Sequence, residues 1–208
     1  TGSWKSHTDD LDSELFKHNF DMNGWEYIHR FLNIKNTIPN ASAVLFKKQT
    51  YLQIEGACSH LNLIGDWSVW AKIVSRGDIH FSSRCLNDFR YHATSVIATA
   101  KQTSGPFRLR RQIILFRSEI SNFWQHHLSD SELTPQIYKK NKIFLYKEVV
   151  RNCSFAIRRR HFEEIIPTIR DACNILPVYL LPIFMFKMAI KLIYSIIFDA
   201  PIKNLLKK

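Results

Sequence analysis

Apolar residues fall into separate stretches along this chain, some at helical and some at strand spacing. Residues 1–24 are polar and mixed, with Phe16 and Phe20 four apart, and read as a surface loop ending in a short helical turn. Trp25, Ile28, Phe31 and Leu32 then fall at i, i+3, i+6 and i+7, which predicts a helix with one apolar side. Pro39 closes that region. The run Asn40 to Lys48, with Val44, Leu45 and Phe46 at its centre, predicts a short buried strand. Tyr51 to His60 is expected to form a helix leading into a loop.

The best-punctuated segment is Gly65 to Gly77. Trp67, Trp70, Ala71 and Val74 share one helical side, and Asp66 stands where a capping carboxylate accepts from orphan first-turn amides. Gly77 stands where a left-handed C-terminal residue belongs, with Arg76 at the negative end of the helix dipole. Asp78 to Phe81 alternates as a short strand does. Gly105-Pro106 marks a boundary. Beyond it, Ile113, Phe116, Ile120, Phe123 and Trp124 predict a long amphipathic helix from Phe107 to about His127. Leu128 to Pro135 reads as a link, Lys139 to Arg160 as a helix of mixed face, and Phe162 to Cys173 as another.

The tail changes the picture. Between Ala172 and Phe198 only Lys187 and Lys191 are charged, and Pro177 and Pro182 interrupt any straight helix. The stretch left, Ile183 to Phe198, would reach about 24 Å as a helix, short of the roughly 30 Å hydrocarbon core of a bilayer. Lys187 and Lys191 share a face, the pattern of a helix lying in a membrane interface with its lysines at anionic head groups. A hydrophobic helix completing a core or a partner interface is the other reading, and a bent transmembrane hairpin is a further form of the first.

Charge sharpens this. The chain carries 29 Lys and Arg against 18 Asp and Glu, net +11, and nearly all of the excess lies after residue 104. Arg108, Arg110, Arg111, Arg117 and the run Arg158-Arg159-Arg160 would suit phosphates. No nucleic-acid reading module surrounds them, and beside an apolar tail an anionic lipid surface is the simpler partner, so no nucleic acid is expected. Cys58, Cys85, Cys153 and Cys173 form no CxxC pair, which gives no support to a structural zinc site and favours reduced, mostly buried thiols on a cytosolic face. Asn40 and Asn152 begin glycosylation acceptor patterns, which matter only in a secretory lumen. Glycine-rich phosphate loops and the HExxH and GxSxG motifs are absent.

Asp66 is the first candidate for chemistry. A carboxylate held by first-turn amides is expected to stay ionised with a lowered pKa, ready to act as general base toward an alcohol, with Trp67 and Trp70 as an apolar wall. A plain helix cap is the bland reading. Arg90 and His92 point the same way in an extended segment, where they would hold a diphosphate, or His92 a metal. The adjacent His126 and His127 do not face one another.

Three stretches in order carry a resemblance: Asn36-Thr37-Ile38-Pro39 through Lys48, then Gly65-Asp66-Trp67-Ser68-Val69-Trp70-Ala71-Lys72, then Leu86-Asn87-Asp88-Phe89-Arg90-Tyr91-His92 with Ser95. Over roughly residues 20–100 the chain resembles the second half of a family 2 glycosyltransferase. The resemblance implies an α/β, Rossmann-like GT-A fold in which one half holds a nucleotide-sugar donor and the next half a saccharide or lipid-linked acceptor. It implies that Asp66 is the base of an inverting transfer and that Trp67 stacks on a sugar ring. Arg90 and His92 would approach the diphosphate, and His92 the divalent cation, Mn2+ or Mg2+, that neutralises it.

The departures are informative. Gly65 stands where the family commonly has a second acid, no match exists for the QxxRW motif of processive members, and no DxD-type metal motif with its preceding strand occurs. These features lead to the expectation of a single-transfer enzyme whose donor half lies in a longer protein. Residues 1–104 would be the acceptor-side part of an incomplete GT-A domain, 105–171 a basic helical region and 172–208 a membrane-associating tail. The chain would sit at the cytosolic face of a membrane. The alternative is a non-catalytic, membrane-docked helical adaptor.

Overall fold

A computed structural model describes residues 14–38, 41–88, 105–127 and 133–173, together with the isolated helical positions 182, 186, 189 and 190. Among the described residues the architecture is mostly helical, with one small two-stranded antiparallel sheet. The expected α/β, Rossmann-like layout is not confirmed by this part of the chain: among the described residues helices carry the core, as expected for the region after residue 104.

The two strands are β1 (Phe20–Met22) and β2 (Ile79–Phe81), with Phe20 opposite Phe81 and Met22 opposite Ile79. The second strand falls where alternation predicts it. The expected short helical turn forms earlier, as a 3-10 turn over Leu15–Lys17, and the first strand follows it, with Phe20 stacked on Phe81 at 5.1 Å. Phe16 closes this corner edge-on to both Phe31 and Phe81.

Helix α1 (Gly24–Tyr27) opens on Asn23, whose side chain accepts from the Trp25 amide at 3.0 Å. It runs directly into a wider π-helical turn, Ile28–Leu32, closed by the Asn33 amide on the Ile28 carbonyl. The wide turn brings Ile28, Phe31 and Leu32 all into the interior. Gly24 is required by close approach: a Cβ there would lie 1.9 Å from the Val74 carbonyl oxygen and 2.0 Å from that of Gly77.

The buried strand expected between Asn40 and Lys48 is not formed. Ala41–Ala43 is a 3-10 turn, helix α2 spans Lys48–Gln53, and Leu45 is fully exposed between them. No strand lies beside the Val44–Phe46 run among the described residues, and Phe46 instead lies over Trp70 and Tyr51. Helix α3 (Gly65–Val74) forms in the predicted segment but begins earlier than predicted, and its caps differ. Ile64 holds the cap position without a side-chain bond, and Asp66 sits inside the first turn. Gly77 is not left-handed; that backbone state occurs at Glu55, Gly56 and Arg160.

Three helices complete the described chain: α4 (Gly105–His127), α5 (Leu133–Arg159) and α6 (Ile165–Cys173), with a 3-10 turn, Phe162–Glu164, before the last. Helix α5 starts earlier than predicted, with Pro135 in its first turn, where a missing amide leaves no hydrogen bond broken. The main core joins Phe31, Leu32, Trp67 and Trp70 to Phe116, Ile120 and Trp124 of α4 and Ile137 of α5. It thus crosses the expected boundary at 104/105. A smaller cluster of Ile114, Leu145, Val149, Cys153 and Ala172 unites α4, α5 and α6. Each large side chain fully buried here is worth about 1.5–3 kcal/mol.

A polar knot lies inside this apolar core. The Arg117 guanidinium donates to the carbonyls of Asn33 (2.8 Å) and Ile34 (3.2 Å) and to Asn141 Oδ1 (2.8 Å), while Asn141 donates to Ser121 Oγ and to the Arg117 carbonyl. Burial pulls the Arg117 pKa down to about 10, which leaves it charged at neutral pH. Asn152 is wholly buried and donates to Thr168 Oγ1 at 2.7 Å, so the folded chain presents no acceptor for a glycan there. Cys58, Cys85 and Cys153 are free thiols, half-buried, exposed and buried in turn. No helix among the described residues is long and apolar enough to cross a membrane.

Candidate functional site

Asp66 is positioned by two elements. Its place in the first turn of α3 brings its own Oδ1 to 2.7 Å from the Trp67 amide, and Asn36, on the segment after the π-helical turn, donates to Oδ2 at 3.3 Å. Asn36 is itself fixed, since its Oδ1 accepts from the Ile38 amide at 3.1 Å. Nearby, Tyr27 and Thr37 share a buried 3.0 Å hydrogen bond between hydroxyls.

The electrostatics of Asp66 run opposite to the expectation of a lowered pKa. Burial pushes the carboxyl above its ordinary value, outweighing the hydrogen bonds from the Trp67 amide and from Asn36. A half-buried carboxylate with a raised pKa is a stronger base than a solvated one, provided that it is ionised at working pH.

Trp67 serves the interior. Its indole Nε1 donates to the Leu32 carbonyl at 2.8 Å, its ring stacks on Phe116 at 4.3 Å, and the Arg117 guanidinium lies 5.5 Å from the ring. At 6% exposure the ring presents no open face to a sugar in this conformation. Its packing instead anchors the turn that carries Asp66. Trp70 is buried as well, with Phe46 across it. Arg90 and His92 lie outside the described residues.

Sequence reasoning missed a second polar cluster. Glu119 of α4 receives Lys72 Nζ at 2.6 Å, Cys58 Sγ at 2.7 Å and Ser68 Oγ at 3.0 Å, all on Oε1, while His60 Nε2 lies 3.2 Å from Oε2. Lys72 Nζ also lies 3.4 Å from Cys58 Sγ. Burial raises the Cys58 thiol pKa, and the hydrogen bond and charge of Glu119 raise it further, so at neutral pH the group is a thiol and not a nucleophilic thiolate. The cluster latches the Cys58–His60 loop, α3 and α4 together. Its signal was present: Lys72 follows Ala71 on the buried side of α3, and Glu119 falls between Phe116 and Phe123 on the apolar side of α4. Opposite charges on two apolar faces call for one another.

A shallow surface hollow is lined by Tyr51, Leu52, Glu55, Gly56 and Ala57, with Glu55 as its one charged side chain. Among the described residues no three His, Cys, Asp or Glu side chains are grouped to hold a metal ion. Compared with known proteins, the chain matches no family model, no curated protein and no solved structure.

Proposed function

We propose that this chain is the acceptor-side part of an inverting glycosyltransferase, with Asp66 as its general base. One observation carries the reading: a half-buried carboxylate, oriented by Asn36 and the Trp67 amide, whose burial raises its affinity for a proton. In the reaction the acceptor hydroxyl oxygen bonds to the anomeric carbon of a nucleotide-sugar, the bond from that carbon to the diphosphate breaks, and Asp66 takes the hydroxyl proton. The configuration at the anomeric carbon inverts. The donor-binding groups and the cation are implied by the resemblance alone. Arg90 and His92 are assigned to the departing diphosphate on the same ground. The cytosolic membrane face, where a lipid-linked or surface saccharide acceptor is found, completes the proposal.

The test is Asp66→Asn in the full-length protein, assayed for sugar transfer and for donor affinity. Donor affinity should persist while transfer falls by about a hundredfold or more. Transfer at the wild-type rate would remove Asp66 from the mechanism. A second reading, a non-catalytic membrane adaptor, is favoured by the exposed apolar side chains beside the arginines of α5. It predicts no transfer by the intact protein.

A further inference from the structure

The end of α5 gathers charge and exposed apolar surface in one place. Its last turn carries Arg158 and Arg159, and Arg160 follows in the left-handed conformation, φ 61°, which ends the helix and reverses the chain. Phe162 and Ile166 come next, 59% and 68% exposed. They lie four residues apart, and Ile166 and Arg170 four apart again, so all three occupy the outward side of the turn and of α6. The opposite side of α6 is spent on Thr168 and Ala172, both buried against α5.

Cations converge on this corner from a second helix. Arg110 of α4 lies 5.0 Å from the centre of the Phe155 ring, and Arg159 lies 5.6 Å from the same ring. Burial first, then the neighbouring Arg151 and Arg158, draw the Arg110 pKa down, with Glu148 opposing them. The nearby carboxylates are mostly taken: Glu148 pairs with Arg151, Glu163 with His161, and Asp171 with Arg111. Among the described residues Arg158, Arg159 and Arg160 join no ion pair. Further along, the helical positions Phe186 and Ile190 are also exposed, 66% and 51%, again four apart, within the stretch from Ala172 to Phe198 that holds only two charges.

We propose that the α5–α6 corner is a docking face for an anionic phospholipid bilayer, with Phe162 and Ile166 entering the boundary between head groups and acyl chains and Arg158, Arg159 and Arg160 meeting lipid phosphates. Charge complementarity selects the occupant. A bilayer surface offers phosphate and hydrocarbon within one side-chain length of each other, and this corner offers the matching pair. A nucleic acid would use the arginines but leave Ile166, which has no ring to stack on a base, in water. The face shares no residue with the Asp66 site and does not depend on glycosyl transfer.

The experiment is co-sedimentation of the full chain with vesicles of phosphatidylcholine alone, or with about a third phosphatidylglycerol, a charge density that attracts polybasic surfaces. Binding should require the anionic lipid and weaken as salt rises to about 0.5 M, where screening acts over only a few ångströms. The Arg158→Ala, Arg159→Ala, Arg160→Ala triple variant should bind about a hundredfold more weakly, at roughly fivefold per arginine. The Phe162→Ser, Ile166→Ser variant should bind about tenfold more weakly or less tightly still. These side chains are exposed, so circular dichroism and the melting midpoint should match wild type; a variant that melts early is replaced by Arg→Gln or Phe162→Ala, Ile166→Ala. Asp66→Asn should bind as wild type does, which separates this face from the catalytic reading. Equal binding to neutral vesicles, no binding at all, or wild-type binding by both variants would overturn the proposal. So would capture of an oligonucleotide duplex as tight as capture of vesicles and indifferent to Phe162 and Ile166.

Discussion

Lys72 Nζ lies 2.6 Å from Glu119 Oε1, tying the middle of α3 to the middle of α4 in a setting where the lysine is nearly buried and the carboxylate mostly so. Burial pushes the Glu119 carboxyl up, but the hydrogen bonds from Cys58, Lys72 and Ser68 and the Lys72 charge outweigh it, and the net shift is downward. A carboxyl lowered on folding stabilises the fold above its unfolded value of 4.5, and that stability is lost as pH falls through the folded value. Glu119→Gln should therefore cost about 2–4 kcal/mol at neutral pH by stranding a buried ammonium. Urea denaturation of both proteins at pH 7 and in acid checks this, and the gap should close in acid. A constant gap would mean that packing alone is lost.

Asp66 has the opposite sign. Its pKa is raised on folding, so its contribution is full below the unfolded value of 3.8 and is lost as pH rises through the folded value. At pH 7 Asp66→Asn should leave stability within about 1 kcal/mol of wild type, since a buried charge is removed as a weak hydrogen bond is lost. Denaturation across the acid range should show wild type gaining on the variant as pH falls. A variant that unfolds at pH 7 would identify Asp66 as a structural group first.

Trp67→Phe keeps most of the packing on Phe116 but removes the donor to the Leu32 carbonyl. The buried acceptor left behind should cost about 1–3 kcal/mol. Trp67→Ala, which also opens a cavity, should cost about 3–5 kcal/mol. The midpoint of chemical unfolding resolves both, and equal losses would assign the whole effect to the lost hydrogen bond.

Gly24→Ala drives a methyl group into two backbone carbonyls, those of Val74 and Gly77. Neither is the end of a flexible side chain, so α1 must shift away from α3 at a cost of about 3 kcal/mol or more. A melting midpoint equal to wild type would show that the helix ends have room to part.

The sequence disclosed helices better than what lies between them. Helices α3, α4 and α5 are long enough for the 3.6-residue repeat to stand out, and α3 was legible with its N-terminal cap displaced by two residues, from Ile64 to Asp66. The strand Phe20–Met22 was not, because three residues carry no period of their own and acquire a conformation only against Ile79–Phe81. The run at Val44 to Phe46 misled for the converse reason: apolar composition suggests burial, yet Leu45 stands in solvent with no partner strand to cover it. At the candidate site the position of Asp66 was readable and the sign of its pKa shift was not. Cap chemistry is local, whereas desolvation comes from how Asn36 and the rest of the fold close around the turn. Trp67 was legible as an aromatic beside a carboxylate, but which way its ring faces is decided by Phe116, forty-nine positions away.

The Arg117 knot gives the molecule an order of dismantling. Its partners are carbonyls and amides, none of which titrates, and the guanidinium keeps its charge in acid. The latch at Glu119 sits two residues further along the same helix and depends on a carboxylate staying ionised. Acid should therefore release the α3 side of α4 while its α5 side, and the Asn33–Ile34 turn held by Arg117, stay joined. One helix carries both a proton-sensitive joint and a proton-indifferent one, and a mildly acidified molecule would be expected to open along the first and hinge on the second.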